Sequence, residues 1–334
     1  MGERSTSLTA SDRAHLLLTP MNTYYLRHSN SPLHHFPRRV FLRRTGLLAA
    51  ALALPNLALR RASAQPASSA PAKDHPFFPF CIDWHDARKR TFAEQATMLK
   101  ELGYDGVGHI WLDKVDERLK TLDAAGLRLF QITMTVDLTE GKPAYDARFK
   151  DVLALVNGRR VQFCLLISGA KPSDASADPR GVQVLREMAE LARPSGSQLL
   201  LYPHVSNWIE RIDDSARVAE KVDRPNVGAM FNLCHWLRVD AQRDYARLLK
   251  SAQPRLWAVS LNGADEHDDQ PGWDHYIQPL DKGNFDIARL LRTLRELDYR
   301  GPIGLQCYGI GGDAREHLAR SIAAWRKLSQ NLRS

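Results

Sequence analysis

The chain has 334 residues with 46 basic and 38 acidic side chains, and its positive excess is confined to one end. Residues 1–64 hold nine Arg against Glu3 and Asp12, which is 9 − 2 = +7 of the total +8; the other 37 basic and 36 acidic residues leave +1. That near-neutral remainder of about 270 residues lacks the basic footprint of a nucleic-acid-binding protein and is long enough to bury one large core.

The charged end has its own pattern. Pro37-Arg38-Arg39-Val40-Phe41-Leu42-Arg43 sets paired arginines before Phe-Leu, an uncharged run follows from Thr45 to Leu59, and Ala62-Ser63-Ala64 closes the segment. A basic patch, a short apolar run and a small-residue exit form an export signal, and the paired arginines point to the twin-arginine route. Residues 1–64 are therefore expected to be a signal segment, and the protein to act in the periplasm. The apolar run falls short of the roughly 20 residues that span a membrane, so no stable membrane anchor is expected after cleavage; an uncleaved anchor is the alternative. Met21 would serve equally as a start. Residues 65–76, rich in Pro, Ala and Ser, read as a linker.

From there, short apolar runs alternate with amphipathic stretches. Strands are expected at Phe78–Ile82, Gly106–Trp111, Arg128–Met134, Val161–Ile167, Gln198–Pro203, Val227–Phe231, Leu256–Leu261 and Ile303–Cys307. Apolar residues at helical spacing place helices at Thr91–Leu102, Arg180–Leu191, Trp208–Val222, Ala241–Ala252, Asp286–Leu297 and Ala314–Leu328. Eight strand–helix units over residues 77–330 predict an α/β protein with a single (β/α)8 barrel. No Gly-rich phosphate turn follows an early strand, which argues against an open doubly wound sheet. The four cysteines sit in or beside apolar runs without a CxxC pair, so buried, inert thiols are expected. Cys81 and Cys307 are expected to stay unbonded although the first and last strands are neighbours, with Cys81 inside the barrel and Cys307 outside.

Barrel chemistry sits at the C-terminal strand ends. There the chain places Asp83-Trp84-His85-Asp86, His109 and Trp111, Gln131 and Asp137, Lys171, Tyr202-Pro203-His204, Asn232-Leu-Cys-His235-Trp236, Asn262 and Asp265, and Gln306 with Tyr308. Polar and aromatic groups at every strand end fit a polar, ring-shaped ligand such as a carbohydrate. Simpler readings stand beside this one. His109 fits a hydrogen-bonded core histidine, Trp236 and Trp257 fit core aromatics, and Asp83 or Asp86 fits a cap for the next helix. His204 and His235 are favoured as functional because both follow strand ends.

Four segments resemble a known family. Leu102-Gly-Tyr-Asp-Gly-Val107, Asn226-Val-Gly-Ala-Met-Phe-Asn-Leu-Cys-His235, Gln278-Pro-Leu-Asp-Lys-Gly-Asn-Phe-Asp286 and Tyr299-Arg-Gly-Pro-Ile-Gly-Leu-Gln306 look like the xylose-isomerase-like TIM barrels. That superfamily holds sugar and sugar-phosphate isomerases, ketose epimerases and an endonuclease branch. The resemblance implies one divalent metal held by a Glu, an Asp, a His and a Glu after strands five to eight. By motif position these correspond to Tyr202, Asn232, Asn262 and Gln306, none of which is a carboxylate or an imidazole. Neutral oxygen donors compensate a dication poorly. No cofactor is expected, with Mn, Mg or Zn left open.

The expected function is a carbohydrate-active isomerase, epimerase or lyase that abstracts a proton alpha to a carbonyl of a sugar or keto-sugar. His204, His235, Asp83 and His109 are the acid–base candidates, since imidazole suits proton transfer near neutral pH. Tyr202, Asn232, Asn262, Gln306, Trp236 and Lys171 are the expected substrate-binding residues. The alternatives are a metal site rebuilt from His204, His235 and Asp83 or Asp281, and a sugar-binding barrel without catalysis. The expected partner is a small carbohydrate, with a homo-oligomer left open.

Overall fold

The computed structural model describes residues 75–83, 85–266 and 272–331. The expected signal segment 1–64, linker residues 65–74 and Trp84 lie outside the described residues. The elements are β1 (Phe77–Phe80), α1 (Phe92–Leu102), β2 (Gly106–Ile110), α2 (Val115–Ala125), β3 (Arg128–Asp137), α3 (Phe149–Leu155), β4 (Gln162–Ser168) and α4 (Asp178–Ala192). They continue with β5 (Gln198–Leu201), α5 (Ile212–Val222), β6 (Val227–Asn232), α6 (Leu233–Asp240), α7 (Tyr245–Ala252), β7 (Leu256–Leu261), α8 (Ile287–Glu296), β8 (Ile303–Gln306) and α9 (Ala314–Asn331).

The strands form one parallel sheet in the order β1-β8-β7-β6-β5-β4-β3-β2. Packing of β1 against β2 brings the ends of this ladder together: a Cβ on Gly108 would fall 2.6 Å from the Phe80 Cβ, so only glycine admits that phenyl group. This is a TIM barrel, as the count of strand–helix units implies.

Strand alternation separates two apolar layers. Phe78, Phe80, Cys81, Ile110 and Phe130 pack together inside the barrel. Cys164 on β4 and Met230 on β6 meet across β5, with sulfurs 3.9 Å apart. The odd-numbered β5 residues Leu199 and Leu201, with Phe163, Leu165, Phe231, Val259 and Leu261, face the helices instead. Each helix contributes one apolar face; α8 buries Ile287, Leu290, Leu291 and Leu294. Caps fix the helix ends. Thr91 forms a capping box with Glu94 at the start of α1, and Gly103 ends that helix at φ +86°. The N-terminal mouth is plugged by a glutamine ladder: Gln131 donates to Gln162 at 3.2 Å and Gln162 to Gln198 at 3.0 Å. Gln131 thus sits far from the strand ends where the sequence reading put it.

Several boundaries differ from expectation. Strand β1 stops at Phe80 because Cys81 turns into the left-handed region at φ +60°. That turn also keeps Cys81 with the lumen cluster. Strand β3 runs three residues past Met134, to Asp137, because Ala144 and Ser168 supply backbone partners there. The stretch expected as one helix from Trp208 opens with a loop, and α5 begins at Ile212. The helix expected over Ala241–Ala252 begins at Tyr245, where Asp244 caps it. Helices α2, α3 and α6 were not read from the sequence. His75, at the end of the expected linker, already stacks on Tyr299 at 5.5 Å. No helix among the described residues is long and apolar enough to cross a membrane.

All four cysteines are buried and unbonded, with Cys307 in the outer layer. Burial pushes each thiol above its ordinary pKa. A thiol reagent is expected to label none of them in the native protein and all of them after denaturation. Rapid labelling of native protein would contradict this packing.

Candidate active site

Strands β5, β6 and β8 deliver the centre of the candidate site. The phenol oxygen of Tyr202 accepts hydrogen bonds from Asn232 Nδ2 and, at 3.4 Å, from Gln306 Nε2. The remaining amide oxygens also have donors. Cys234 Sγ–H donates to Asn232 Oδ1 at 3.0 Å, and the Tyr308 backbone N–H donates to Gln306 Oε1 at 3.0 Å. Asn262, just past β7, gives its amide N–H groups to Gly263 O at 2.8 Å and Tyr276 O at 2.6 Å. All four side chains are buried.

Two imidazoles lie against this junction. The His204 and His235 ring centroids are 4.1 Å apart, and lie 6.1 and 5.8 Å from the Tyr202 ring. Tyr202 and His204 share a side although β5 ends at Leu201, because the Tyr202 and His204 amides bond Leu165 O and Ile209 O and keep the segment extended. His235 arrives differently from expectation. Strand β6 passes straight into α6 at Asn232, so His235 rides on the first turn of a helix. Trp273 covers it edge-on, with ring centroids 5.2 Å apart.

The Val205 peptide sets opposite tautomers on the two rings. Its carbonyl can only accept, so the 2.9 Å contact with His204 Nδ1 puts the proton on that nitrogen and leaves Nε2 as the basic one. Its N–H can only donate, so the 3.4 Å contact with His235 Nδ1 leaves that ring protonated at Nε2. His235 Nε2 is buried and meets no acceptor among the described residues. Burial lowers the His204 pKa to about 4, and burial followed by the neighbouring His204 ring lowers that of His235 well below the ordinary value. Both rings are neutral at pH 7.

Other expected site residues go elsewhere. His109 faces the helix layer, not the lumen: Val107 and His109 point outward from β2, while Gly108 and Ile110 point in. There His109 Nε2–H donates to Asp113 O at 2.8 Å, and Arg118 Nε–H donates to Nδ1 at 3.4 Å. Arg118 is fully buried, stacks on Phe92 at 3.7 Å, and donates to Gln95 and to Asp83 Oδ1 at 2.9 Å each. Asp83 is thus the counter-ion of a buried guanidinium, and neither Asp83 nor His109 joins the His204–His235 wall. Trp236 turns outward onto Phe231, Tyr245 and Phe285. Lys171 is exposed on the loop after β4. Asp281 pairs with Arg320 at 2.8 Å on the surface.

Three contributors were not read from the sequence. Val205 acts through its backbone, which leaves no signal. Trp273 lies in a loop with no periodicity. Ser260 could have been found by parity, two residues before Asn262 on the inward face of β7; its hydroxyl is fully buried and has no partner among the described residues.

The residues at the family's metal positions do not fit a divalent cation. Two amides and a phenol turn polar atoms to one another, and the third amide, Asn262, gives its N–H groups to carbonyls and leaves one neutral oxygen unpartnered among the described residues, which is too little to offset a dication. Among the described residues, no group of three or more His, Cys, Asp or Glu could hold a metal.

The sequence profile of a family described as Xylose isomerase-like TIM barrel matches residues 96–328. The chain belongs to that family. Among solved structures it resembles D-allulose 3-epimerase from Methylomonas sp., with TM-score 0.60, 16% identity, and coverage of 77% of this chain and 98% of that one. It is also similar to 3-keto-D-glucoside 4-epimerase from E. coli, with TM-score 0.58, 16% identity, and coverage of 76% and 99%. A third is the probable 3-DHS dehydratase involved in petrobactin synthesis from Bacillus anthracis, with TM-score 0.60, 16% identity, and coverage of 75% and 98%. Likeness at these identities establishes the shared fold. No curated protein matches the sequence.

The buried histidines predict an acid-labile fold. His109, His204 and His317 bind a proton in the folded state only near pH 4, but near pH 6.5 when unfolded. Between those values the unfolded chain holds more protons, so stability rises with pH across the window and levels off above it. From pH 6.5 to about 4 the unfolding free energy is expected to fall by several kcal/mol, and the melting temperature to fall steadily with it. A flat profile over that range would show that these rings are solvated.

Proposed function

We propose that this protein is a sugar epimerase, isomerase or lyase that moves a proton alpha to a carbonyl without a resident metal. The carrying observation is the pair of opposite tautomers on His204 and His235. One ring offers a basic nitrogen and the other an N–H donor, 4.1 Å apart by centroid and both neutral at pH 7. The fold's presence in two sugar epimerases and a dehydratase supports the reading.

Each step follows from these groups. His235 Nε2–H hydrogen-bonds the substrate carbonyl oxygen and polarises it. His204 Nε2 takes the alpha proton; the C–H electron pair becomes the C=C of an enolate, and the negative charge moves to the oxygen. Protonation of the enolate by water on the face opposite His204, whose imidazolium gives its proton back to solvent, inverts the centre and gives epimerisation. Departure of a beta-oxygen substituent with its bonding pair, protonated by the His204 imidazolium, gives elimination instead. No co-reactant is needed in either case. A base with a pKa of about 4 is weak, which is why the C–H must be acidified by an adjacent carbonyl.

The roles predict unequal substitutions. His204→Gln is expected to lower kcat by about 10²–10⁴. His235→Gln keeps an amide N–H donor and should retain more activity. Deuterium exchange at the alpha carbon of a 3-keto-glycoside, followed by NMR, measures both. Equal losses, or an unchanged His204→Gln enzyme, would refute the assignment.

We also propose that the protein works in the periplasm after twin-arginine export. The support is the Arg38-Arg39 pair, the apolar run after it and Ala62-Ser63-Ala64. Replacing both arginines by lysine should leave full-length protein in the cytoplasmic fraction. Unchanged periplasmic recovery would overturn this.

A further inference from the structure

The buried polar atoms of the upper lumen specify a ligand by what they lack. Three of them meet no partner among the described residues: His235 Nε2–H, Asn262 Oδ1 and Ser260 Oγ. Each residue is at most 1% exposed. Ser260 pairs in register with Asn232 on β6 and with Gly304 on β8, Asn262 follows two residues on, just past β7, and His235 lies on the first turn of α6 directly after Asn232. Buried polar atoms in folded proteins are almost always hydrogen-bonded. A donor, an acceptor and a hydroxyl together call for a carbonyl oxygen and two hydroxyl groups.

None of the three is charged, and neither are Tyr202, Asn232 and Gln306 beside them. A phosphate or carboxylate here would need a buried cation to offset its lost hydration. The nearby cations are held elsewhere. Arg118 is bound to Asp83, Arg211 to Asp240 at 2.9 Å, and Arg90 to Asp86 and Asp313. Lys171 and Arg238 are exposed, where solvent and salt screen them. The carboxylates nearest the strand ends are held as well, Asp137 by Thr139 and Asp265 by Gln278, and they offer an anion no donor.

We infer that the substrate of this site is an uncharged polyhydroxyl ketone, an oxidised sugar with neither phosphate nor carboxylate on the reacting ring. The inference rests on the proton-transfer reading for the carbonyl's place at His235. The hydroxyl contacts at Asn262 and Ser260 do not depend on turnover.

The test separates binding from chemistry. The full chain is titrated with methyl 3-keto-glucopyranoside, its 6-phosphate and the corresponding uronate. Tryptophan fluorescence reports binding, and deuterium exchange at the alpha carbon reports turnover. The uncharged ketone is expected to bind at least about tenfold more tightly than either anion. Ser260→Ala removes a partnerless buried hydroxyl, so it should leave the melting temperature of the free protein unchanged or raised while weakening the uncharged ketone about fivefold to tenfold. Equal or tighter binding of either anion overturns the inference, as does the absence of saturable binding by all three compounds. Selective binding of the uncharged ketone without exchange supports the inference and removes the proton-transfer reading instead.

Discussion

The phenol oxygen of Tyr202 accepts hydrogen bonds from Asn232 and Gln306, and this junction ties together the ends of β5, β6 and β8. Each amide is oriented by a second bond, from Cys234 on one side and the Tyr308 backbone on the other. Breaking any link would leave a buried amide group unpaired, which costs about 1–3 kcal/mol. The junction also fixes the course of the chain beyond β5 and β6. Tyr202 leads through Pro203 to His204, and Asn232 immediately precedes the helix that carries His235. The distance between the two imidazoles is therefore a consequence of a neutral hydrogen-bond network, and the Val205 peptide between their nitrogens then decides which ring is base and which is donor.

A second polar network, in the helix layer, follows the opposite rule. Arg118 keeps its charge under full burial because Asp83 pairs with it, Gln95 and His109 accept from it, and the Phe92 ring lies beneath it. Removing one partner of such a pair typically costs about 3–5 kcal/mol, since the other charge stays behind unpaired. The arrangement locks α1 and α2 to the top of β1. It also explains the low pKa of His109, which burial and then the guanidinium hold near 4. That histidine is structural by its surroundings, as a hydrogen-bonded core position would be.

How far the sequence reveals this depends on what each residue's signal encodes. The barrel was legible because strands buried on both faces read as continuous apolar runs, and Leu256–Leu261 matches its strand end to end. The convergence of Tyr202, Asn232 and Gln306 was legible from motif position. His109 was misplaced because an apolar run buried on both faces hides its parity; only the glycines at 106 and 108 mark the inward side. Helix α6 was missed because no loop separates it from β6, so Trp236 read as a strand-end group when its helical position turns it outward. Val205 could not have been found, since a peptide group is the same in every residue.

At the family's metal positions the carboxylates and the cation they share offset one another. Without the cation, a carboxylate left there would be a buried, uncompensated charge. Here the phenol oxygen of Tyr202 accepts from the amides of Asn232 and Gln306, so three of the four positions satisfy one another without a formal charge. On the proposed reading, this absence of charge limits the chemistry. A dication stabilises a developing enolate by charge, whereas the N–H of His235 offers a single neutral hydrogen bond. A site with that weaker electrophile and a base of pKa about 4 can turn over only a C–H that the substrate itself makes acidic. The loss of formal charge from the lumen and the requirement for a ketone in the substrate are then one physical fact seen from two sides.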